Sequence, residues 1–456
     1  MDIFLNYRNY LGSFDALWVS AGYRKFKDTP YRVTTADGDH LMIPNALFDD
    51  FYRVLDKDPD AADLAQRVTL EVKHTGLDVL PLLKQTLHND MPRNLTRIHP
   101  ILVGAVSGAV KTELLPAGRR MIAIVSGTVF MGADLARRDE WLDAAANYTG
   151  TGFYALFLIK MWPKPLRNIA SLFNLKLRSL RSQRRKALDF LVPIIQQRRG
   201  LMTRGEKVPD DMLRWMLAKG EEIPDSLVDE KVAGQLLQLT LVAIHTTSLT
   251  STFLFYDLLL HGGTVIEDIR SEIKAVLKEH DGFMSPQALA QMRLLDSAIK
   301  ESQRMHPLGL TKYTRYVQQP FKISTGQTIP AGSVVEVPFI ATLRDPELYT
   351  DPEKFNPYRF QKIRSGEVAD PMKYKVKDQH AFVAATRENL SWGWGRHACP
   401  GRFFAAHEIK LIAAQILLNY DLRLPEGMTA EKAQDYFTPK EVFVKHRIDT
   451  AVHTFS

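Results

Sequence analysis

The chain of 456 residues contains a single cysteine, and it stands in the stretch WGWGRHACPGRFF, residues 392 to 404. One thiol cannot form an internal disulfide, which excludes a disulfide-stapled scaffold and points to a reducing compartment or to a special use for that thiol. Pro400 follows directly and suits the first position of a helix, so Cys399 is expected at or next to a helix N-terminus. Unpaired backbone N–H groups there favour an anion, and the expectation is a thiol with a lowered pKa that ionises to a thiolate. Gly393, Gly395 and Gly401 let the backbone wrap the sulfur tightly while a flat, bulky group approaches it. Arg396 and His397 beside the cysteine can bind carboxylates of that group. A cysteine used only as a small buried hydrophobe needs none of this.

With 45% hydrophobic and 24% charged residues the chain can bury a large core. No Gly/Ser linker, low-complexity tract or repeat marks a boundary, so residues 1–456 are read as one domain. The net charge of +7 is modest and shows no nucleic-acid footprint. A basic cluster, Lys176, Arg178, Arg181, Arg184, Arg185 and Lys186, is spaced as on a solvated helix face, with contact to a membrane or an acidic partner as the alternative. The first residues are interrupted by Asn6, Arg8, Asn9 and Asp15, so neither a membrane anchor nor a signal peptide is expected there.

The pattern predicts a mainly α fold with small β-sheets. A hairpin is expected at YRVTT and HLMIP around Asp37-Gly38, and helices from about residue 60 to about 310. One long helix should start at Ser226, with Asp229 completing a capping box, and stop at Gly262-Gly263. Further helices should follow Thr264, with Glu267 as its box partner, and Ser285-Pro286. FKISTGQTIPAGSVVEVPF reads as a second hairpin, and Ile409, Ile412, Ala413, Ile416, Leu417 and Tyr420 give a closing helix after the cysteine.

Trp392, Gly393, Gly395, His397, Cys399 and Gly401 resemble the haem-binding signature of the cytochrome P-450 monooxygenases, F-G-x-G-x-R-x-C-x-G, with Trp392 in place of Phe and His397 in place of Arg. Glu301-Ser302-Gln303-Arg304 resembles the family's E-x-x-R, and Asn356-Pro357-Tyr358-Arg359-Phe360 its P-x-R-F. The resemblance implies a structural set of Glu301, Arg304 and Arg359 that holds the haem-loop region. LVAIHTTSLT, midway along the long helix, resembles the oxygen-binding segment, with Ala243 near the haem, Thr246 as the proton-relaying alcohol and Thr247 beside it. His245 occupies the acid position, where a proton relay and a packed core histidine are equally open readings.

The resemblance implies the cytochrome P-450 fold and haem b bound through the Cys399 thiolate to iron. It further implies use of O2, and NADPH electrons delivered by a separate NADPH-cytochrome reductase, since the chain shows no flavin or nicotinamide fingerprint of its own. The implied reaction inserts one oxygen atom into a small apolar substrate, and the wording HTTS and GRHACPGRFF is similar to fungal enzymes of terpenoid and other secondary metabolism. Alternatives are a haem-thiolate isomerase or dehydratase, and an inactive haem-binding relic. The implied location is the cytosolic face of the endoplasmic reticulum, or the cytoplasm because no anchor is visible, with peripheral membrane contact open. No tryptophan falls between about residues 85 and 125, where the family's W-x-x-x-R is expected, which leaves Arg93, Arg97, Arg119 or Arg315 as candidates for the haem propionates.

Overall fold

Glycine pairs, capping side chains and acidic first turns set the ends of the helices through the middle of the chain. The computed structural model describes residues 20–35, 38–56, 62–63, 81–113, 118–163, 166–220, 228–422 and 453–454. The principal helices are α1 (Met91–Glu113), α2 (Gly118–Met131), α3 (Leu175–Thr203), α4 (Asp229–His261), α5 (Val265–Glu279), α6 (Arg293–Met305), α7 (Arg359–Ser365) and α8 (Arg402–Asn419). Helix α4, 33 residues long, carries Asp229 and Glu230 in its first turn, where the helix dipole favours negative charge, and ends at Gly262 with φ +66°. The predicted cap at Ser226 lies outside the described residues. At Thr264 the expected box with Glu267 does not form. The Thr264 backbone is already in the helical region, so its hydroxyl bonds the Asp268 carboxylate at 2.9 Å instead of a backbone N–H. Ser285 caps the helix Pro286–Gln291 as expected, accepting from the Ala288 N–H at 3.0 Å.

The main β-sheet brings residues 31–63 together with residues 312–337. Strands β1 (Tyr31–Thr35) and β2 (Gly38–Met42) form the predicted hairpin; β3 is Ala62–Asp63, β4 Lys312–Val317, β5 Phe321–Lys322, β6 Thr328–Ile329 and β7 Val334–Val337. The main sheet has the order β1-β2-β7-β4-β3, with β2 and β7 parallel. The second predicted hairpin is therefore divided: β5 and β6 pair with each other, while β7 leaves to lie between β2 and β4. Burial alternates along β4, and its register against β7 shifts between Lys312 and Arg315.

Two apolar clusters organise the molecule. The larger runs through α1, α2, α4, α6 and α8, and includes Leu102, Val125, Ile244, Leu295 and Ile412. The smaller one unites the sheet with the segment before α8 through Phe48, Phe51, Val335, Val337, Phe360 and Leu390, with Tyr52 and Trp394 packed against it. Among the described residues only α4 is long and apolar enough to cross a bilayer, and 65% of its most apolar window is buried inside the protein. It packs against α2, α3, α6 and α8, which accounts for its composition without a membrane.

Helix α8 also carries buried ionisable groups. Glu408 is fully buried and accepts from the Ser126 hydroxyl of α2 at 2.8 Å, while its other oxygen has no partner; burial raises its pKa from 4.5 to about 8. Beside it, burial, His99 and Lys410 lower His407 to about 4. Between about pH 4.5 and 6.5 the folded state holds an extra proton on Glu408 and the unfolded state one on histidine, so the two effects offset. Above 6.5 the Glu408 contribution falls as pH rises to about 8, while Lys300, lowered by burial to about 7, adds the opposite trend from about 7 upward. Chemical denaturation of the Glu408→Gln variant should show that fall flattened; a slope unchanged from the parent protein contradicts the assignment.

Candidate functional site

The loop that presents Cys399 is closed by its own backbone. The Cys399 N–H donates to the Trp392 carbonyl at 2.6 Å, Gly393 N–H to Leu390 at 2.9 Å, His397 N–H to Trp394 at 3.1 Å and Ala398 N–H to Gly395 at 3.1 Å. Gly393 (φ +75°) and Gly395 (φ +58°) occupy the left-handed region. A Cβ at Gly393 would stand 2.9 Å from the His397 carbonyl oxygen, and one at Gly395 would stand 3.1 Å from the Tyr52 ring. Trp392 anchors the loop sideways, donating from Nε1 to the Phe382 carbonyl at 2.6 Å with the two rings 5.2 Å apart. Trp394 stacks edge-on against Phe48 and Tyr52, both at 5.9 Å.

Two expectations about the cysteine are corrected. Pro400 is not the first helical residue: α8 starts at Arg402 with Gly401 as its N-cap, so Cys399 lies two residues before the cap. The sulfur still receives the Gly401 and Arg402 N–H groups, but the thiol pKa is raised rather than lowered. Burial is the larger effect, and the two N–H groups with the charges of Arg402 and Lys312 oppose it without overcoming it. A bonded metal cation supplies the missing compensation, because a coordinating thiol is deprotonated.

Arg396 is exposed and its Nε donates to His397 Nε2 at 3.2 Å, which leaves Nδ1 as the protonated atom of that histidine. Arg315 is 4% exposed and already compensated: it bonds Asp56 at 2.9 and 3.4 Å and lies 4.0 Å over the Tyr313 ring. On α4, Val242 and Thr246 are exposed one turn apart, with the Thr246 hydroxyl donating to the Val242 carbonyl at 2.6 Å. Ala243 packs partly against the helical core, His245 is half-buried, and Thr247 is turned inside at 2% exposure.

Glu301, Arg304 and Arg359 form a buried ion set. Glu301 is bonded by Arg304 through both oxygens at 2.9 Å and by Arg359 at 3.0 Å, and also accepts from the Asn356 N–H at 3.0 Å. Arg304 spends its remaining donors on the carbonyls of Leu343 and Pro352. α6, α7 and the segment between them are thereby joined.

A family model, Cytochrome P450, matches residues 118–446, well over half of the chain. The chain belongs to the cytochrome P450 family. It is similar to Cytochrome P450 monooxygenase AN1598 of Emericella nidulans, 31% identical over 434 residues that cover 90% of this chain and 78% of that one. It is also similar to Cytochrome P450 monooxygenase paxP of Penicillium paxilli, 30% identical over 428 residues covering 89% and 79%. A solved structure titled retinoic acid bound cyanobacterial CYP120A1 shares the fold with a TM-score of 0.66 at 20% identity, covering 91% of this chain and 90% of that one. The mainly helical architecture with small sheets is thus the P450 fold, and membership makes the chain an oxygen-incorporating oxidoreductase of a family that uses haem and O2.

The residues present fit a haem. The sole thiol lies in a loop wrapped by left-handed glycines, a Cβ at Gly401 would meet nothing within 4 Å, and the Trp394 Nε1 has no hydrogen-bond partner among the described residues. Lys312, Tyr52 and Arg402 were not singled out from the sequence. Strand alternation would have placed Lys312 and Arg315 on opposite faces, and only the paired structure reveals a bulge between them. Replacement of Gly393 by Ala should cost about 1–3 kcal/mol in thermal or chemical unfolding. Gly401→Ala, at φ −86° with nothing within 4 Å, should lose only an N-cap preference of under about 1 kcal/mol; equal losses contradict this reading.

Proposed function

We propose that this chain inserts one oxygen atom from O2 into a C–H bond of a small apolar substrate, a terpenoid or other fungal secondary metabolite. The electrons come from NADPH through a separate reductase. The observation that carries the reading is the Cys399 loop, whose backbone bonds and left-handed glycines present one thiol to an open face. Bound haem supplies the activation of dioxygen. Cys399 Sγ is the protein's ligand to its iron, and His397 with Arg396 offers donors for its carboxylates.

The chain's other residues handle protons and substrate. Thr246 holds a proton at Oγ1, steadied by the Val242 carbonyl, on the exposed side of α4. Val242 and Ala243 offer the apolar surface beside it, suited to a substrate without charge. Thr247, packed inside, supports the helix rather than the proton path. With NADPH and a reductase, Thr246→Ala should form roughly tenfold less product per NADPH, the balance appearing as peroxide. Thr247→Ala should stay coupled. Unchanged coupling in Thr246→Ala contradicts the proton role.

The same proposal includes peripheral contact with an anionic membrane. Leu172, Phe173 and Leu175 project outward where α3 begins, the last two 74% exposed, and Trp162 and Ile169 are exposed nearby. No Asp or Glu falls between Asp143 and Asp189, while Lys176, Arg178, Arg181, Arg185 and Lys186 are exposed along the first turns of α3. An apolar tip inside a purely cationic surround is matched by acyl chains beneath acidic headgroups better than by water. In sedimentation with phosphatidylserine vesicles, Phe173→Asp combined with Leu175→Asp should reduce binding at least about tenfold; retention equal to the parent protein contradicts the contact.

A further inference from the structure

Ser182 is an exposed hydroxyl inside a ring of cations. In the segment KLRSLRSQRRK, residues 176–186, Arg178 stands four residues before it, and Arg185 and Lys186 stand three and four residues after it. That spacing puts all three on the Ser182 face of α3, and Arg181 precedes the serine directly. The serine and these four side chains are exposed. Arg178 gives one donor to the Leu172 carbonyl at 3.3 Å, and no carboxylate bonds any of the four among the described residues. The neighbouring polar groups have local tasks: Asn174 caps α3, and Ser179 Oγ accepts from Gln183 Nε2 at 3.3 Å.

The cluster is unfavourable as it stands. Arg178 with Arg181, and Arg181 with Arg185, are like charges at helical neighbour spacing, and α3 has no acidic residue in its first turn to oppose them. Lys176 and Arg178 also lie towards the positive end of the helix dipole, where an anion is preferred. A phosphate on Ser182 Oγ carries about two negative charges at neutral pH and brings three acceptor oxygens, and Arg178, Arg185 and Lys186 are spaced to bond them. Of residues 175–182 only Leu177 and Leu180 are buried, so fraying from this end presents the serine at the loss of two apolar contacts.

We propose that Ser182 is a phosphorylation site, modified by a protein kinase that selects serine among basic residues, and that the phosphate releases α3 from an anionic membrane. The step transfers the γ-phosphoryl group of ATP. Its bond to the bridging oxygen breaks, a bond to Ser182 Oγ forms and the hydroxyl proton leaves, giving phosphoserine and ADP. The proposal rests on the membrane contact made by Phe173 and Leu175 with the cations behind them. Each exposed lysine or arginine there adds attraction to acidic headgroups, and the phosphate cancels about two of those charges. The apolar tip is left as a marginal anchor.

The test treats the full chain with ATP and a basophilic serine kinase, locates the phosphate by mass spectrometry and follows sedimentation with phosphatidylserine vesicles. Phosphate should be found on Ser182, and the modified chain should bind about tenfold or more weakly than the unmodified one. Ser182→Ala should bind like the unmodified parent and keep that binding after kinase treatment. Ser182→Glu, which adds one negative charge without a kinase, should bind about fivefold more weakly. Absence of phosphate from Ser182 overturns the proposal, as does parent-like binding by the phosphorylated chain or by Ser182→Glu. Failure of the unmodified parent to sediment with the vesicles is a separate result, which overturns the membrane contact and the switch with it.

Discussion

The sulfur of Cys399 is placed by backbone hydrogen bonds, and every other feature of the site is arranged round that placement. The bond from the Cys399 N–H to the Trp392 carbonyl closes the loop, and the left-handed glycines let it close without side chains in the way. A thiol held in this fashion is poorly stabilised as an anion by the protein alone, because burial outweighs the two N–H groups and the nearby cations. A metal cation bound to the sulfur would supply the opposing charge, and the family to which the chain belongs uses haem.

The Glu301–Arg304–Arg359 set joins three separated segments. Its net contribution to stability is small, since desolvating three charges offsets much of their attraction. Its value is geometric. Both Glu301 oxygens are occupied and the arginines reach carbonyls of the intervening segment, so an alternative packing would leave buried charges unpaired. The small β cluster constrains the cysteine loop through the contacts of Phe48 and Tyr52 with Trp394.

Much of this was legible in the residues. The single cysteine among glycines, the i, i+3 pair Glu301 and Arg304, the Asp37-Gly38 hairpin and the Ser285 cap all depend on local rules, and local rules act within a few residues. What sequence reasoning missed depends on contacts distant in the chain. The bond from Arg315 to Asp56 joins residues 259 apart and was not visible in the sequence. The separation of β7 from β5 and β6 follows from pairing with β2, nearly three hundred residues away. The register shift between Lys312 and Arg315 has no turn signature, because Tyr313 rather than glycine takes the left-handed conformation. The thiol pKa was misjudged for a related reason: the helix N-terminus was visible in the sequence, but the depth of burial was not.

The claim on which the account stands is the bond between Cys399 Sγ and haem iron, and the spectrum of the reduced, carbon monoxide-bound protein reads it directly. A thiolate opposite the carbonyl shifts the Soret band to unusually long wavelength. The account predicts that the parent chain shows this band and that Cys399→Ser loses it. An ordinary short-wavelength carbonyl band in the parent chain, or the long-wavelength band surviving in Cys399→Ser, would contradict it.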